Sequence, residues 1–146
     1  MDVKGEGAAS FETLDIPGYE VMEKVGSGGM ASVYRAKRKS DGATVALKIP
    51  MEQYVADAKF IRRFHREAEV AQRLDHPNIV RTFEHGSLGV KHFMSMEYVD
   101  GRSLEGFIEG GDMTIDLSVE VMKSVAKALE HIHSRGIIHR DIKPAN

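Results

Sequence analysis

The run Val25-Gly26-Ser27-Gly28-Gly29-Met30-Ala31-Ser32-Val33 is composed to turn tightly and to admit another group against its backbone. Glycine lacks the Cβ that keeps a phosphate oxygen from main-chain N–H groups, so such a run can cradle a phosphate or can serve only as a turn. A dinucleotide-binding turn needs a helix directly after its glycines, whereas Ser32-Val33-Tyr34 has the β-branched and aromatic character of a strand. Some fifteen residues on, Val45-Ala46-Leu47-Lys48-Ile49 sets a cation in an apolar stretch. An isolated lysine there usually snorkels to water; with a carboxylate to hold it, it can lie over nucleotide phosphates. Glu67 is the candidate carboxylate, since it falls near the edge of an apolar helical stripe where an ionised group is costly unless paired. The densest polar segment comes last, His139-Arg140-Asp141-Ile142-Lys143-Pro144-Ala145-Asn146.

Elements that could hold these groups are legible around them. Tyr19 to Met22, Ala31 to Ala36 and Thr44 to Ile49 read as three antiparallel strands, the last two joined through the hairpin signal Ser40-Asp41-Gly42. Asp57 to Leu74 is helical by period, with Phe60, Phe64, Ala68, Ala71 and Leu74 on one stripe and Arg62, Arg63, Arg66 and Glu69 on a solvated face. His76-Pro77-Asn78 ends that helix. Ile79 to Glu84 and His92 to Tyr98 read as two more strands about the turn Gly86-Ser87-Leu88-Gly89. Leu104 to Glu109 reads as a short helix and Leu117 to Ser134 as a longer one, stopped by Gly136. Strands, one helix, more strands and then helices predict an α+β chain with a sheet-based lobe before a helical one. Residues 1–17 are small and polar, and read as a flexible leader closed by Ile16-Pro17-Gly18.

Composition narrows the functional classes. The 146 residues are 42% hydrophobic and 29% charged, as in ordinary globular proteins. A net charge of −2 provides no overall field to attract nucleic acid, which is not an expected partner. There is no cysteine, so disulfides and thiolate metal sites are excluded. No stretch approaches the ~20 apolar residues of a membrane span, and the expected compartment is the cytoplasm. His131 and His133 stand about 200° apart on a helix and do not share an ion easily. No Gly-x-x-x-x-Gly-Lys-Ser/Thr run occurs, which disfavours a P-loop enzyme.

The segment His139 to Asn146 resembles the catalytic loop of protein kinases, His-Arg-Asp-x-Lys-x-x-Asn, and it follows a glycine-rich loop, a Val-Ala-x-Lys strand and a helix Glu in that family's order. The resemblance runs from Tyr19 to Asn146. It implies a protein-kinase-like fold: an antiparallel sheet with one main helix and the hinge at 18–100, then the start of a mostly helical lobe at 101–146. By the same resemblance, ATP is held beneath the loop Val25, Gly26, Ser27, Gly28, Gly29, Met30, Ala31, Ser32 and Val33, with Lys48 on its phosphates and paired to Glu67. Val33 and Ala46 roof the adenine, Met96 is the bulky residue at the back of the pocket, and the backbone of Glu97 and Val99 bonds the adenine edge. Asp141 orients the substrate hydroxyl and accepts its proton, Lys143 balances charge near the γ-phosphate, and Asn146 is a ligand of Mg²⁺. His139 is expected to be a buried packing residue.

Lys143 with Pro144 resembles the serine/threonine branch, and the Gly-Gly-Met loop with His-Pro-Asn-Ile-Val resembles its bacterial members. Ala31 departs from the family by standing where a third glycine is usual. The Asp-Phe-Gly motif, the activation loop and the substrate-binding helices are not in the chain, so the resemblance implies an incomplete kinase domain with apolar surface left on the helix Leu117 to Ser134. The expected partners are ATP and a protein bearing Ser or Thr, with dimerisation among kinases also allowed and a C-terminal membrane anchor conceivable in a longer protein. The function expected is serine/threonine protein kinase activity, with this chain by itself inactive; the alternative is a half-kinase that binds nucleotide or a partner without catalysis.

Overall fold

A computed structural model describes residues 14–146. Five strands, β1 (Tyr19–Ser27), β2 (Ala31–Arg38), β3 (Thr44–Pro50), β4 (Thr82–Leu88) and β5 (Lys91–Glu97), form one antiparallel sheet in the order β1-β2-β3-β5-β4. Four helices accompany it, α1 (Glu52–Val55), α2 (Ala58–Gln72), α3 (Leu104–Glu109) and α4 (Ile115–His133). This is the expected α+β arrangement, a sheet with one main helix followed by helices.

The two faces of the sheet have different tasks, because successive side chains alternate. One face carries Tyr19, Ala36, Val45, Leu47 and Ile49, with Val21, Tyr34 and Phe93 packed against them. Val45 and Leu47 are completely buried, as fits the central strand of the five. The Tyr19 hydroxyl donates to the Glu84 carboxylate, tying the outer strands β1 and β4 across the core, and the Arg38 guanidinium of β2 lies 4.9 Å from the centre of the Phe83 ring on β4. The opposite face receives α2, whose buried residues Phe64 and Ala68 pack on Met94 with Met96 beside them.

Local chemistry sets the helix limits. Asp57 caps α2, its carboxylate accepting from the N–H groups of Lys59 and Phe60 at 2.8 and 3.1 Å. Thr114 caps α4 through the N–H of Leu117, so the helix starts two residues before the apolar period predicts. Gly136, at φ 72°, ends the turn after α4 in a conformation that favours glycine.

Some boundaries differ from the sequence reading. Gly86 to Leu88 lie within β4, and the turn is at Gly89, whose φ is 58°. Ile79 to Arg81 precede β4 because the Ile79 N–H closes a turn onto the His76 carbonyl at 3.0 Å. Helix α1 was not expected; it is a single turn following Pro50. The leader was expected to run through residue 17. Residues 1–13 lie outside the described residues, but Ile16 is fully buried in the core and Leu14 packs against the same cluster.

Candidate active site

Gly26, Val33, Lys48, Met94 and His85 are successive register partners across β1, β2, β3, β5 and β4. Cross-strand partners share a face, so these residues form one row on the side that α2 covers at its β4–β5 end. Arg35, Ala46, Met96 and Thr82 form the next row. The sheet thus assembles Val33, Ala46, Lys48 and Met96, which come from three separate segments, on a single surface. Met96 also packs against the Phe64–Ala68–Met94 cluster, so the residue expected at the back of the pocket joins sheet to helix.

The glycine run bends between β1 and β2, with the Gly28 N–H donating to the Ala31 carbonyl at 2.9 Å. A Cβ built on Gly29 would meet nothing within 4 Å, one on Gly28 only the Ala31 oxygen at 3.7 Å, and neither residue has a positive φ. The loop's own packing and conformation therefore do not require glycine at these positions. A ligand brought close to the backbone would require it. Met30 is exposed, whereas Ala31 and Ser32 are buried, which accounts for a small residue where the third glycine is usual. Val25 and Ser27 are exposed and Gly26 half-buried along the same edge.

Lys48 is half-buried, and no carboxylate among the described residues forms an ion pair with it. Glu67 is not its partner here. The Glu67 side chain is 63% exposed and lies 4.0 Å from Arg63 on its own helix. Phe64 and Ala68 are the residues that α2 turns to the sheet, and in this arrangement Glu67, expected at the edge of the buried stripe and held by Lys48, is turned to solvent beside Arg63. Arg63, on the solvated face of α2, stands four residues before Glu67, the spacing at which oppositely charged side chains meet on a helix.

At the hinge, the Glu97 N–H donates to the Arg81 carbonyl at 2.8 Å, while its carboxylate accepts from the Arg81 N–H at 3.2 Å. These bonds fix the end of β5. Val99, two residues on, is 62% exposed and its backbone is outside the strand ladders.

Residues 138–146 are all exposed. His139 is therefore a correction: it is not buried, and its Nδ1 faces the Asp141 N–H at 3.3 Å, stabilising the loop from within. Arg140 adopts φ 67°, a left-handed conformation unusual for a side-chain-bearing residue, and so turns the chain sharply before Asp141. Asn146 Nδ2 donates to the Asp141 carbonyl at 2.6 Å and to its carboxylate at 3.2 Å, and Lys143 Nζ lies 3.4 Å from the same carboxylate. These contacts lower the Asp141 pKa, first through the Asn146 hydrogen bond and then through Lys143. With Nδ2 committed to Asp141, the Oδ1 of Asn146 is the amide's remaining acceptor, a donor atom suited to a hard cation. Pro144 anchors the loop, its carbonyl accepting from the Glu105 N–H of α3 at 2.9 Å. The His76 and His131 rings, 5.0 Å apart, link the turn after α2 to α4. Among the described residues, no group of three or more His, Cys, Asp or Glu is arranged to hold a metal ion.

Comparison with known proteins agrees with this architecture. The sequence profile of the family described as "Protein kinase domain" matches residues 19–146. Serine/threonine-protein kinase PknJ of Mycobacterium tuberculosis is 42% identical over 129 residues, covering 88% of this chain and 22% of that protein. Serine/threonine-protein kinase PrkC of Bacillus subtilis is 40% identical over 129 residues, 88% of this chain and 20% of its own length. Among solved structures, the crystal structure of the M. tuberculosis PknI kinase domain superposes with a TM-score of 0.80 at 33% identity, over 94% of this chain and 56% of that one. The chain thus spans about a fifth of its curated relatives and little more than half of a solved kinase domain. On the match of residues 19–146 and the fold they adopt, the chain belongs to the protein kinase domain family, as an N-terminal part of a domain of the bacterial serine/threonine type.

Proposed function

We propose that this chain is the nucleotide-binding front of a serine/threonine protein kinase that transfers the γ-phosphoryl group of ATP to a protein hydroxyl with the aid of Mg²⁺, in the cytoplasm. The observation that carries the reading is the Asp141–Lys143–Asn146 contact set, in which one carboxylate is held by an amide and an ammonium. Two further features fit ATP and Mg²⁺: glycines that their own fold does not require, and a Lys48 without a carboxylate partner among the described residues. When bound, ATP and Mg²⁺ supply the phosphoryl group and the cationic charge of the reaction.

The rest is the work of side chains. Residues 25–33 cover the nucleotide, Val33 and Ala46 give an apolar surface for its base, and Met96 closes the inner end. Glu97 and Val99 offer backbone groups to the base edge. Lys48 holds phosphate oxygens, and Glu67 holds Lys48 once α2 brings it round. Asp141, kept ionised by its neighbours, accepts a hydrogen bond from the substrate hydroxyl and takes its proton. Lys143 balances negative charge as that proton leaves. Asn146 Oδ1 is the metal ligand. In this division residues 18–100 form the first lobe and hinge, and 101–146 begin the second.

The turned-away Glu67 favours a second reading, a nucleotide- or partner-binding module without turnover. Calorimetry with Mg²⁺–ATP, followed by phosphate transfer to a Ser/Thr-containing protein by the longest natural polypeptide carrying this chain, separates the two. Binding and transfer, with transfer lost in Asp141→Asn, supports the kinase. Binding without transfer supports the module, and absence of nucleotide binding overturns the kinase and the nucleotide-binding form of the module.

A further inference from the structure

Three of the seven histidines meet on the face of the sheet that α2 covers. His65 of α2 places its Nδ1 2.8 Å from the Nδ1 of His85 on β4 and its Nε2 2.9 Å from the Nδ1 of His92 on β5. All three rings are half-buried. Because the two contacts use opposite nitrogens of the His65 ring, no single ion meets all three, in keeping with the absence of a metal-holding group among the described residues. The cluster is a hydrogen-bonded chain of rings, and its chemistry is the counting of protons.

Each N···N contact is a hydrogen bond only while it contains one proton. Two contacts therefore hold two protons, and the outward nitrogens, Nε2 of His85 and Nε2 of His92, can add one each. The bonded cluster carries at most four ring protons, one more than its neutral three. A further proton must set two N–H groups against each other, or two imidazolium rings side by side, and one bond then breaks. We propose that His65, His85 and His92 form a clamp that holds α2 on β4 and β5 while the cluster carries no more than one extra proton, and that releases the helix when it takes a second.

The surroundings leave the cluster to decide. On α2, Glu69 is the acid that favours protonation of His65, while Arg62 and Arg66 line the same open depression. From β4 and β5 the groups acting on His65 are His85 and His92 themselves. Glu84 on β4 is turned to Tyr19 on the other face, and Lys91 and Glu97 alternate away from His92 along β5. Helix α1 brings Glu52 and Tyr54, neither of which acts on His65. Burial first, and the two neighbouring rings next, push the His65 pKa below its ordinary 6.5. A depressed folded-state value means that docking is fully favoured above the ordinary value and weakens as pH falls below it.

His85 lies in the same sheet row as Lys48, one strand beyond Met94, and His65 precedes Glu67 by two residues. The clamp therefore fixes the helix that must move for Glu67 to reach Lys48. That consequence rests on the proposed function; release of the helix itself does not.

The test uses the unmodified chain without nucleotide, so a failure to bind ATP leaves it unaffected. Long-range ¹H–¹⁵N spectra of the imidazoles are followed from about pH 8 to about pH 5. The expected result is that the two nitrogens of His65 report two coupled titration steps, the second depressed. Backbone amide exchange, corrected for its intrinsic pH dependence, should then rise about tenfold more in Ala58–Gln72 than in Ala31–Arg38 across the second step. In His65→Leu, the added exchange in α2 should vanish. A single His65 titration step near the ordinary value, or α2 protection that follows β2 throughout, would overturn the proposal; both are read on the unmodified chain even where the variant does not fold.

Discussion

Glu67 leans on Arg63, one helical turn before it, with 4.0 Å between guanidinium and carboxylate. Both side chains are at least 60% exposed, so the pair is worth only about 0.3–0.5 kcal/mol and is easily exchanged for another. Arg63 is engaged elsewhere as well, lying 5.9 Å from the Phe60 ring centre and 3.7 Å from the Met30 sulfur in the glycine loop. Arg63→Ala should therefore change stability by less than about 0.5 kcal/mol, while Mg²⁺–ATP affinity rises up to about twofold because Glu67 loses its competing partner. Calorimetry on parent and variant checks this, and weaker nucleotide binding in Arg63→Ala would count against it.

Lys48 separates binding from folding. It has no ion-pair partner among the described residues, so its charge contributes little to the folded state, and Lys48→Met adds apolar contact beside Val33 and Met94. Urea denaturation should show stability unchanged or raised by about 0.5 kcal/mol. Nucleotide affinity should fall at least about tenfold, the loss of a charge-assisted contact to phosphate. A loss of stability together with affinity would mean that Lys48 is a structural residue.

The glycines make the same separation from the backbone. Gly29→Ala meets open space and Gly28→Ala an ordinary contact, both without a positive φ. Each substitution should leave stability unchanged or raise it by about 0.4–1 kcal/mol through the restricted unfolded chain. If the backbone approaches phosphate, Gly28→Ala should still cost about tenfold in Mg²⁺–ATP affinity. Thermal unfolding and calorimetry on the same samples check both parts.

What was legible in the sequence was whatever local period and short motifs encode. The strands about Val33 and Lys48 and the stripe of Phe64 and Ala68 follow from alternation and helical period, and the structure has them. The cap at Thr114 and the turn at Gly89 shifted boundaries because a side-chain hydrogen bond and a single positive φ outweigh the apolar pattern. For Glu67, helical period gives the angle to the stripe but not the ion pair it makes, which in the folded helix is with Arg63. The His65–His85–His92 chain was invisible, since it joins three elements through register, and register is a property of the assembled sheet.

Tyr19 gives the molecule an alkaline limit. Burial, followed by its hydrogen bond to Glu84, raises the phenol from 10.0 to about 12. A raised folded-state value contributes stability that is complete below 10.0 and is lost as pH climbs through about 12. The unfolding free energy should accordingly fall across that window. In Tyr19→Phe that decline should shrink, at a cost near neutral pH of about 1–2 kcal/mol for the lost bond to a charged acceptor. Urea denaturation at a series of pH values measures both, and an alkaline decline of the same size in the variant would remove Tyr19 as its source.

The end of the expected leader belongs to the core, and one substitution tests it. Ile16 is 0% exposed, and its carbonyl accepts from the Tyr19 N–H at 3.0 Å through a turn that Gly18 completes at φ 85°. The turn folds the chain back so that Ile16 lies with Tyr19, Ala36 and Leu47. Ile16→Ala removes buried methyl and methylene groups and leaves a cavity, which should cost about 2–4 kcal/mol. Val90→Ala, at a side chain 73% exposed, should change stability by less than about 0.5 kcal/mol. Urea midpoints with unchanged slopes give the two values directly. Equal, small effects would restore Ile16 to a flexible leader, whereas the expected difference makes the core of this sheet depend on residues that precede its first strand.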